Sequence, residues 1–445
     1  MIFRLALKSL LMHPIRALVL GVGFGLGVGV MATLLGVGEV VLEQAKEPAL
    51  LGGGDVIATG VAGAVTSARF VLASIAAGAA ASPRKRADLF LMRPGKDPLL
   101  IQARGGIPSL ERALGDPETS DQPAWQDEAG DAAWASPKHE DVLRVMDRFH
   151  PVPDVPARAS SWAEWLYFKG PNFYCTFLVG PKSASGSRIA GVRLQLDRGG
   201  RITSLGETAE LDEAALLASA PNLTIGNSRV RLEGMRYHIT LNLPEASGDF
   251  FIDAVPGRHL APLVIRGAGG WVSGYTVPVM SGPLGGWIQV RGDRLALDGT
   301  GYHDHNWGFW QGVSWRWGQV QHEGRSYVYG RVSPPADAAD PERIPGMLIA
   351  LGPDGPLGYS TRVTIRETDD PATGRPHRIV VSSQGGSLDL TMDITVLDAI
   401  VTPGGALAKG PDFLQLRGTY HVSGKAGGQA VDFTAPGAAE TFGGR

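Results

Sequence analysis

Gly299-Thr-Gly-Tyr-His-Asp-His-Asn-Trp-Gly308 packs one carboxylate, two imidazoles and one carboxamide between glycines. Trp307, Trp310, Trp315 and Trp317 lie in or just after it, four of the ten tryptophans in the chain. Successive side chains of a strand point to opposite faces. As a strand, the stretch puts Tyr302, Asp304 and Asn306 on one face and His303, His305 and Trp307 on the other. Two readings compete: a polar cluster that closes a sheet edge, or a site where a carboxyl group meets an apolar ligand.

The residues on either side favour β structure. From Pro151-Val-Pro-Asp-Val-Pro156 onward, strand-like runs recur at short intervals with turn residues between them. They include Trp162–Phe168, Asn172–Val179, Arg188–Leu196, Arg229–Leu241 and Trp287–Val290. A second series holds Gly312–Val320, Ser326–Val332, Met347–Leu351, Thr361–Glu367, His377–Ser382, Ser387–Val396 and Phe413–Ser423. Only Asp212–Ala220 has a helical pattern. Strands without long intervening helices predict antiparallel barrels or sandwiches. About 290 residues exceed one barrel, so two are expected, 151–285 and 286–445. A pair of sandwiches fits the same pattern.

Length and composition agree. The 445 residues allow two or three domains, and 61 glycines and 31 prolines supply many turns. The net charge of −3 gives no basic field for nucleic acid. The lone Cys175 excludes an intramolecular disulfide and lies in an apolar run that reads as core.

The N-terminal 50 residues differ from the rest. Residues 1–16 carry Arg4, Lys8 and Arg16 and no acid, and 17–38 carry no charge. That length crosses a hydrocarbon layer of about 30 Å as a helix. Positive charge before the span predicts a single-pass anchor in the inner (cytoplasmic) membrane, with the N-terminus cytoplasmic and the body outside. A cleaved signal peptide is the alternative, with no good small-residue site after the apolar run. Gly21, Gly25 and Gly29 fall on one helix face, as do Gly23 and Gly27, which suits packing against another helix. Residues 51–150 read as a helical or irregular linker, with a solvated acidic stretch from Asp116 to Asp131.

Three motifs carry a resemblance. Trp162-Ala-Glu-Trp-Leu-Tyr-Phe168, Tyr302-His-Asp-His-Asn-Trp-Gly308 and Gly418-Thr-Tyr-His-Val-Ser-Gly424 are similar to landmarks of the carotenoid 1,2-hydratases (hydroxyneurosporene synthases) and their AttH-like relatives. The resemblance covers roughly residues 150–445. It implies two consecutive lipocalin-like antiparallel β-barrels with functional residues near their junction. Leu166 departs from it, standing where an aromatic residue is common. Separately, Phe3-Arg-Leu-Ala-Leu-Lys-Ser-Leu10 through Gly52-Gly-Gly-Asp55 resembles the start of an ABC-transporter permease, which implies an ABC transporter as a partner.

Alkene hydration needs a carboxylic acid that stays protonated near neutral pH and aromatic faces that shield a carbocation. By the resemblance, Asp304 is the candidate general acid, with Tyr302, His303 and His305 beside it. Glu164, between Trp162 and Trp165, is the second carboxylate, able to orient water or to pair with an arginine. Trp162, Trp165, Tyr167, Asn306, Trp307 and Trp310 are the candidate ligand wall. His303 and His305, two apart, have metal-ligand spacing, but a third ligand from His322, Glu323 or His421 would have to come from far away. The favoured reading has one histidine bonded to Asp304 or a backbone carbonyl and the other at the surface. No cofactor is implied: phosphate-loop and dinucleotide patterns and a Gly-x-Ser-x-Gly elbow are missing. Two functions remain: an extracytoplasmic, membrane-anchored protein that binds a lipophilic isoprenoid or lipid, or a hydratase acting on a terpenoid C=C bond.

Overall fold

Along β3 (Trp162–Gly170) and the second half of β13 (Asp293–Phe309), from Gly301 on, both faces are buried, and that double burial sets the architecture. A computed structural model describes residues 82–91, 99–131, 139–153, 155–183, 185–199, 201–256, 258–353, 355–384, 388–402 and 413–443, with scattered positions between 12 and 31. The described residues fall into two units, one including Gly106–Glu128 and the larger including Pro83–Gly105 and the residues from Ala129 onward.

In the smaller unit, α1 (Pro108–Ala113) precedes the single turn α2 (Pro117–Ser120). Asp127 accepts hydrogen bonds from the Ser109 backbone N–H and hydroxyl, which lower its pKa. The acidic stretch is therefore not wholly a solvated face: Asp116 is buried and accepts a bond from the Thr119 hydroxyl at 2.6 Å.

Most of residues 17–38, including Gly21, Gly23, Gly25, Gly27 and Gly29, lies outside the described residues. The described positions there, such as Leu18, Val22, Phe24 and Met31, are helical and exposed. Among the described residues no helix is long and apolar enough to cross a membrane.

The larger unit holds two large antiparallel sheets. The first comprises β3, β4 (Phe173–Lys182), β5 (Ser187–Arg198), β6 (Arg201–Asp212), β7 (Leu223–Ile225), β8 (Ser228–Glu233), β9 (Arg236–Leu243), β10 (Ala246–Asp253), β11 (Leu260–Arg266), β12 (Val272–Val290) and β13. Its order is β6-β5-β4-β3-β13-β12-β10-β9-β8-β7, with β11 on β12. The second comprises β14 (Ser314–His322), β15 (Arg325–Ser333), β16 (Met347–Gly352), β17 (Gly355–Ser360), β18 (Val363–Asp369), β19 (Pro376–Ser383), β20 (Leu388–Thr402), β21 (Phe413–Ala426) and β22 (Gln429–Phe442), in the order β17-β16-β15-β14-β22-β21-β20-β19-β18.

Both sheets obey one scheme. The first and last strands pair, β3 with β13 and β14 with β22, and the free edges fall midway, at β6/β7 and β17/β18. Curling turns each sheet around its own core. Leu166, Phe168, Phe177, Ile239 and Phe250 fill the first, and Tyr327, Val381, Met392, Ile394 and Tyr420 the second. Ser228 Oγ reaches Glu207 Oε1 across the first gap at 3.2 Å. The architecture is thus two barrel-like sheets. The predicted helix appears as α4 (Glu213–Ser219), capped by the Asp212 carboxylate on the Ala215 N–H. The run Arg229–Leu241 is two strands, β8 and β9, because the positive φ of Gly234 turns the chain between them.

The boundary between sheets falls at residues 310–313, not at 285/286. Gly285 and Gly286 lie inside β12, which pairs with β13 along its length and with β10 over Leu284–Val290. At the true boundary Trp162, Trp271, Phe309, Trp310 and Val313 form one apolar cluster. The Trp271 and Trp310 indole N–H groups donate to the carbonyls of Phe309 and Ala163 at 3.0 Å.

The linker expectation for 51–150 also changes. β1 (Arg84–Leu91) and β2 (Leu99–Gly106) pair as a two-stranded sheet. Helix α3 (His139–Met146) and the residues after it send Leu143 and Phe149 into the core of the first sheet.

Candidate functional site

Strand β13 separates two polar clusters. Its register sets Asp304 opposite Tyr167, Asn306 opposite Trp165 and Tyr302 opposite Lys169, so these side chains share one face. On the other face His303 opposes Phe168, His305 opposes Leu166 and Trp307 opposes Glu164. The alternation expected from the motif holds. One consequence differs from expectation: Glu164 and Asp304 lie on opposite sides of the sheet and do not form a carboxylate pair.

The Asp304 face meets the second sheet. Tyr167, Val277, Met280, Tyr302, Trp317, Val328 and Ala438 make a buried seam between the two sheets. Inside it, hydrogen bonds run in one direction. The Trp317 Nε1–H donates to the Tyr275 hydroxyl at 2.9 Å, the Tyr275 and Tyr302 hydroxyls are 2.7 Å apart, and the Tyr302 hydroxyl donates to Asp304 Oδ2 at 2.8 Å. Asp304 Oδ1 is buried with no hydrogen-bond partner. Burial, and then the nearby Glu440 carboxylate, raise the Asp304 pKa well above its ordinary value. Both donors, the Tyr302 and Tyr275 hydroxyls, aim at Oδ2, at 2.8 and 3.4 Å, and Oδ1 is left as the oxygen without a donor. Glu440 is raised to about 7 by burial, partly offset by Gln415 and the Trp315 indole, which approach it at 3.5 and 3.4 Å.

Tyr167 stacks on Tyr174 with ring centres 5.7 Å apart and meets Trp317 edge-on at 5.8 Å. Tyr174, Gln195, Asp197, Gln415 and Arg417 line a cleft of about 10 Å³ beside the seam, room for about one water. Trp165 packs on Trp310 and Trp315. Of the expected ligand wall, Tyr167, Trp165 and Asn306 therefore face the second sheet. Trp307 is turned away from Asp304, and Trp162 and Trp310 hold the boundary between sheets. The aromatic neighbours of Asp304 are Tyr302, Tyr275, Tyr167 and Trp317.

The opposite cluster sits within the first sheet. His303 Nε2 is 2.9 Å from Asp147 Oδ2, and its Nδ1 is 3.1 Å from the Tyr167 carbonyl oxygen. His305 Nε2 is 2.9 Å from Glu164 Oε2. His305 Nδ1 lies 3.0 Å from Asp147 Oδ1, off the line of a good hydrogen bond, so this is an ionic contact. Glu164 Oε1 accepts the His150 backbone N–H at 2.8 Å. The His150 ring stacks on Trp307 with centres 3.5 Å apart and planes 8° from parallel. Burial by itself would lower the His305 pKa, but the Asp147 and Glu164 carboxylates raise it to about 9. Burial opposes ionisation of Asp147 too, yet His303 and His305 bring its pKa well below the usual carboxylate range.

One histidine does bond a backbone carbonyl, as expected, but neither bonds Asp304 and neither is at the surface: both are 0% exposed. Glu164 pairs with histidines rather than an arginine. His322 stacks on Phe433 and His421 faces Asp432, so neither joins His303 and His305. Cys175 is buried core, and burial pushes its thiol pKa up.

Sequence reasoning missed Asp147, His150, Tyr275 and Glu440. Leu143, Met146, Asp147 and His150 follow the i, i+3, i+4, i+7 pattern of a buried stripe, which was a readable sign that Asp147 points inward. Nothing local marks Tyr275 or Glu440, which reach Asp304 only through strand pairing and sheet packing.

No protein-family model matches the chain, and no curated protein sequence does. Among solved structures, a protein of Nitrosomonas europaea described as a candidate AttH is similar at 16% identity and a TM-score of 0.44, over 63% of this chain and 91% of that one. CghA, solved with Sch210972, is similar at 11% identity and a TM-score of 0.47, over 67% of this chain and 94% of that one.

Proposed function

We propose that the larger unit binds a lipophilic molecule, an isoprenoid or a lipid, at the aromatic seam between its two sheets. Asp304 carries this reading: a neutral carboxylic acid with one unpartnered oxygen, set among Tyr302, Tyr275, Tyr167 and Trp317. Such a group is a poor surface contact and a good partner for an otherwise apolar ligand. The cleft at Tyr174 and Gln415 admits only a water, so a larger ligand enters by parting those side chains.

The raised acid favours a second reading, hydration of a terpenoid C=C bond. The proton on Asp304 Oδ1 goes to one alkene carbon, and the π pair becomes the new C–H bond. The cation left on the adjacent carbon is shielded by aromatic faces, worth up to about 2 kcal/mol each when desolvated. Water forms the C–O bond, and its surplus proton returns to Asp304, so atoms and charge balance without a cofactor. Glu440, rather than Glu164, is the second carboxyl group on this side.

In the same proposal residues 17–38 anchor the chain in the inner (cytoplasmic) membrane with the larger unit outside the cytoplasm, on the strength of the charge pattern. An ABC transporter is the proposed partner, because the glycine faces suit helix packing.

Mass spectrometry of an organic extract of the purified full-length chain tests binding: a stoichiometric lipophilic compound is expected, and an extract with none, together with no uptake of added isoprenoids or lipids, would overturn it. With that compound in hand, Asp304→Asn separates the two readings. A hydratase loses about 10²–10⁴-fold in turnover while still binding. Full turnover in Asp304→Asn would remove Asp304 from the mechanism.

A further inference from the structure

The face of β13 opposite Asp304 contains a second set of converging groups that the proposed function does not use. His305 Nε2 and His150 Nδ1 both point at Glu164 Oε2, at 2.9 and 3.4 Å. All three atoms lie within 4.8 Å of one another. Atoms bound at about 2.0–2.1 Å to a tetrahedral ion stand about 3.3 Å apart, so the edges of 2.9 and 3.4 Å are each within about 0.4 Å of that spacing.

We propose that His150, Glu164 and His305 bind a divalent transition-metal ion of the zinc type, taking the place of the proton that His305 shares with Glu164. Two histidines and one glutamate are a ligand set of catalytic zinc centres, which keep a fourth position for water or substrate. The side chain of His150 is 19% exposed while those of Glu164 and His305 are buried, so the fourth position faces out past His150.

The surrounding residues fix each ligand. Asp147 Oδ1 lies 3.0 Å from His305 Nδ1, leaving Nε2 as the ligand atom. A carboxylate behind a metal-bound histidine is the usual means of setting its tautomer and orientation. The His150 backbone N–H holds Glu164 Oε1, which turns Oε2 toward both rings. Trp307, stacked on His150, fixes the rotation of that ring. The four groups come from three separate parts of the chain, α3 and its exit, β3 and β13. Their convergence owes nothing to local spacing. The metal site is independent of the ligand seam, since the sheet lies between them.

The test uses the full-length chain in detergent, stripped with chelator and then titrated with Zn²⁺ by calorimetry and with Co²⁺ by visible absorption. One equivalent of each should bind, with the intense d–d bands of low-coordinate Co²⁺. His150→Ala should abolish the bands with unchanged far-UV circular dichroism, while His322→Ala, a histidine remote from the cluster, should leave them unchanged. Asp147→Asn should weaken Zn²⁺ by about 10–100-fold, the range for such supporting carboxylates. The Co²⁺ spectrum of the unsubstituted chain decides even where a variant does not fold. Its absence, or equal binding by His150→Ala and the unsubstituted chain, would overturn the site.

Discussion

Asp304 and His305 adjoin in the chain, lie on opposite faces of one strand, and are pushed toward opposite charge states. Burial and then Glu440 raise the Asp304 pKa, which favours the neutral acid, while Asp147 and Glu164 raise that of His305 against its burial, which favours the charged ring. A single extended backbone separates an acid-bearing seam from an ionic cluster because the β pleat alternates at every residue. A one-residue slip of β13 against β3 would exchange the two faces, so this register is the condition for both.

The His305 cluster should make stability depend on pH with a definite sign. Its folded pKa, about 9, lies above the ordinary histidine value of 6.5. A group raised on folding contributes fully below its unfolded pKa and loses that contribution as pH rises through the folded one. In the chelator-stripped chain, melting temperature should therefore decline between about pH 6.5 and 9, and His305→Gln should flatten that decline. Asp147 acts in the opposite sense: its contribution is present above the ordinary value of 3.8 and is lost as pH falls through its lowered folded value. An unsubstituted chain with a flat profile from neutral to alkaline pH would count against a charged His305.

Asp304 should behave differently from a structural carboxylate. Its folded pKa is raised, so the stability it contributes is present below the ordinary value of 3.8 and is lost as pH rises above it. Asn is neutral at every pH. Asp304→Asn should thus melt at or above the unsubstituted chain at pH 7, with the gap closing near pH 4. A uniform drop at both pH values would mean that Asp304 works as a partnered structural group.

Gly274 lies against the indole of Trp307. A Cβ there would meet ring atoms at 2.0–2.5 Å, too close for either side to stay in place. Gly274→Ala should displace Trp307 from the His150 ring and cost about 1–3 kcal/mol, the usual range for overpacking. Denaturant unfolding measures the cost, and tryptophan fluorescence reports the displacement. Wild-type stability in this variant would show that the indole has room to move.

The proposed topology is tested by a reporter fused after Arg445 that is active only in the cytoplasm. It should be silent when residues 17–38 are intact and active when they are removed. Strong signal from the intact fusion would place the larger unit in the cytoplasm.

How far the sequence could be read depended on the distance over which each feature is encoded. Apolar runs bounded by turn residues are a local signal, and Trp162–Phe168 and Arg188–Leu196 are strands where that pattern placed them. The helical pattern of Asp212–Ala220 is local too, and it appears as α4. The boundary expected at 285/286 came from dividing the length between two barrels, and it falls inside β12 because length does not show which strand closes a sheet. Glu164 was assigned to the wrong cluster because its face relative to Asp304 depends on cross-strand register, not on its tryptophan neighbours.

By itself the sequence determined that the C-terminal two thirds is antiparallel β, that it is too long for one barrel, and that residues 302–307 divide their polar side chains between two faces. These are consequences of side-chain alternation and turn chemistry within a few residues. Tertiary structure alone decided what each face meets. Pairing of β12 with β13 brought Tyr275, and packing of the two curled sheets brought Trp317 and Glu440, around Asp304, desolvating the acid and raising its pKa. Docking of α3 and its exit on the first sheet brought Asp147 and His150 to His305, and charge pairing there outweighs the burial that would otherwise discharge the ring. Desolvation and pairing depend on residues more than a hundred positions apart, and no local pattern encodes that distance.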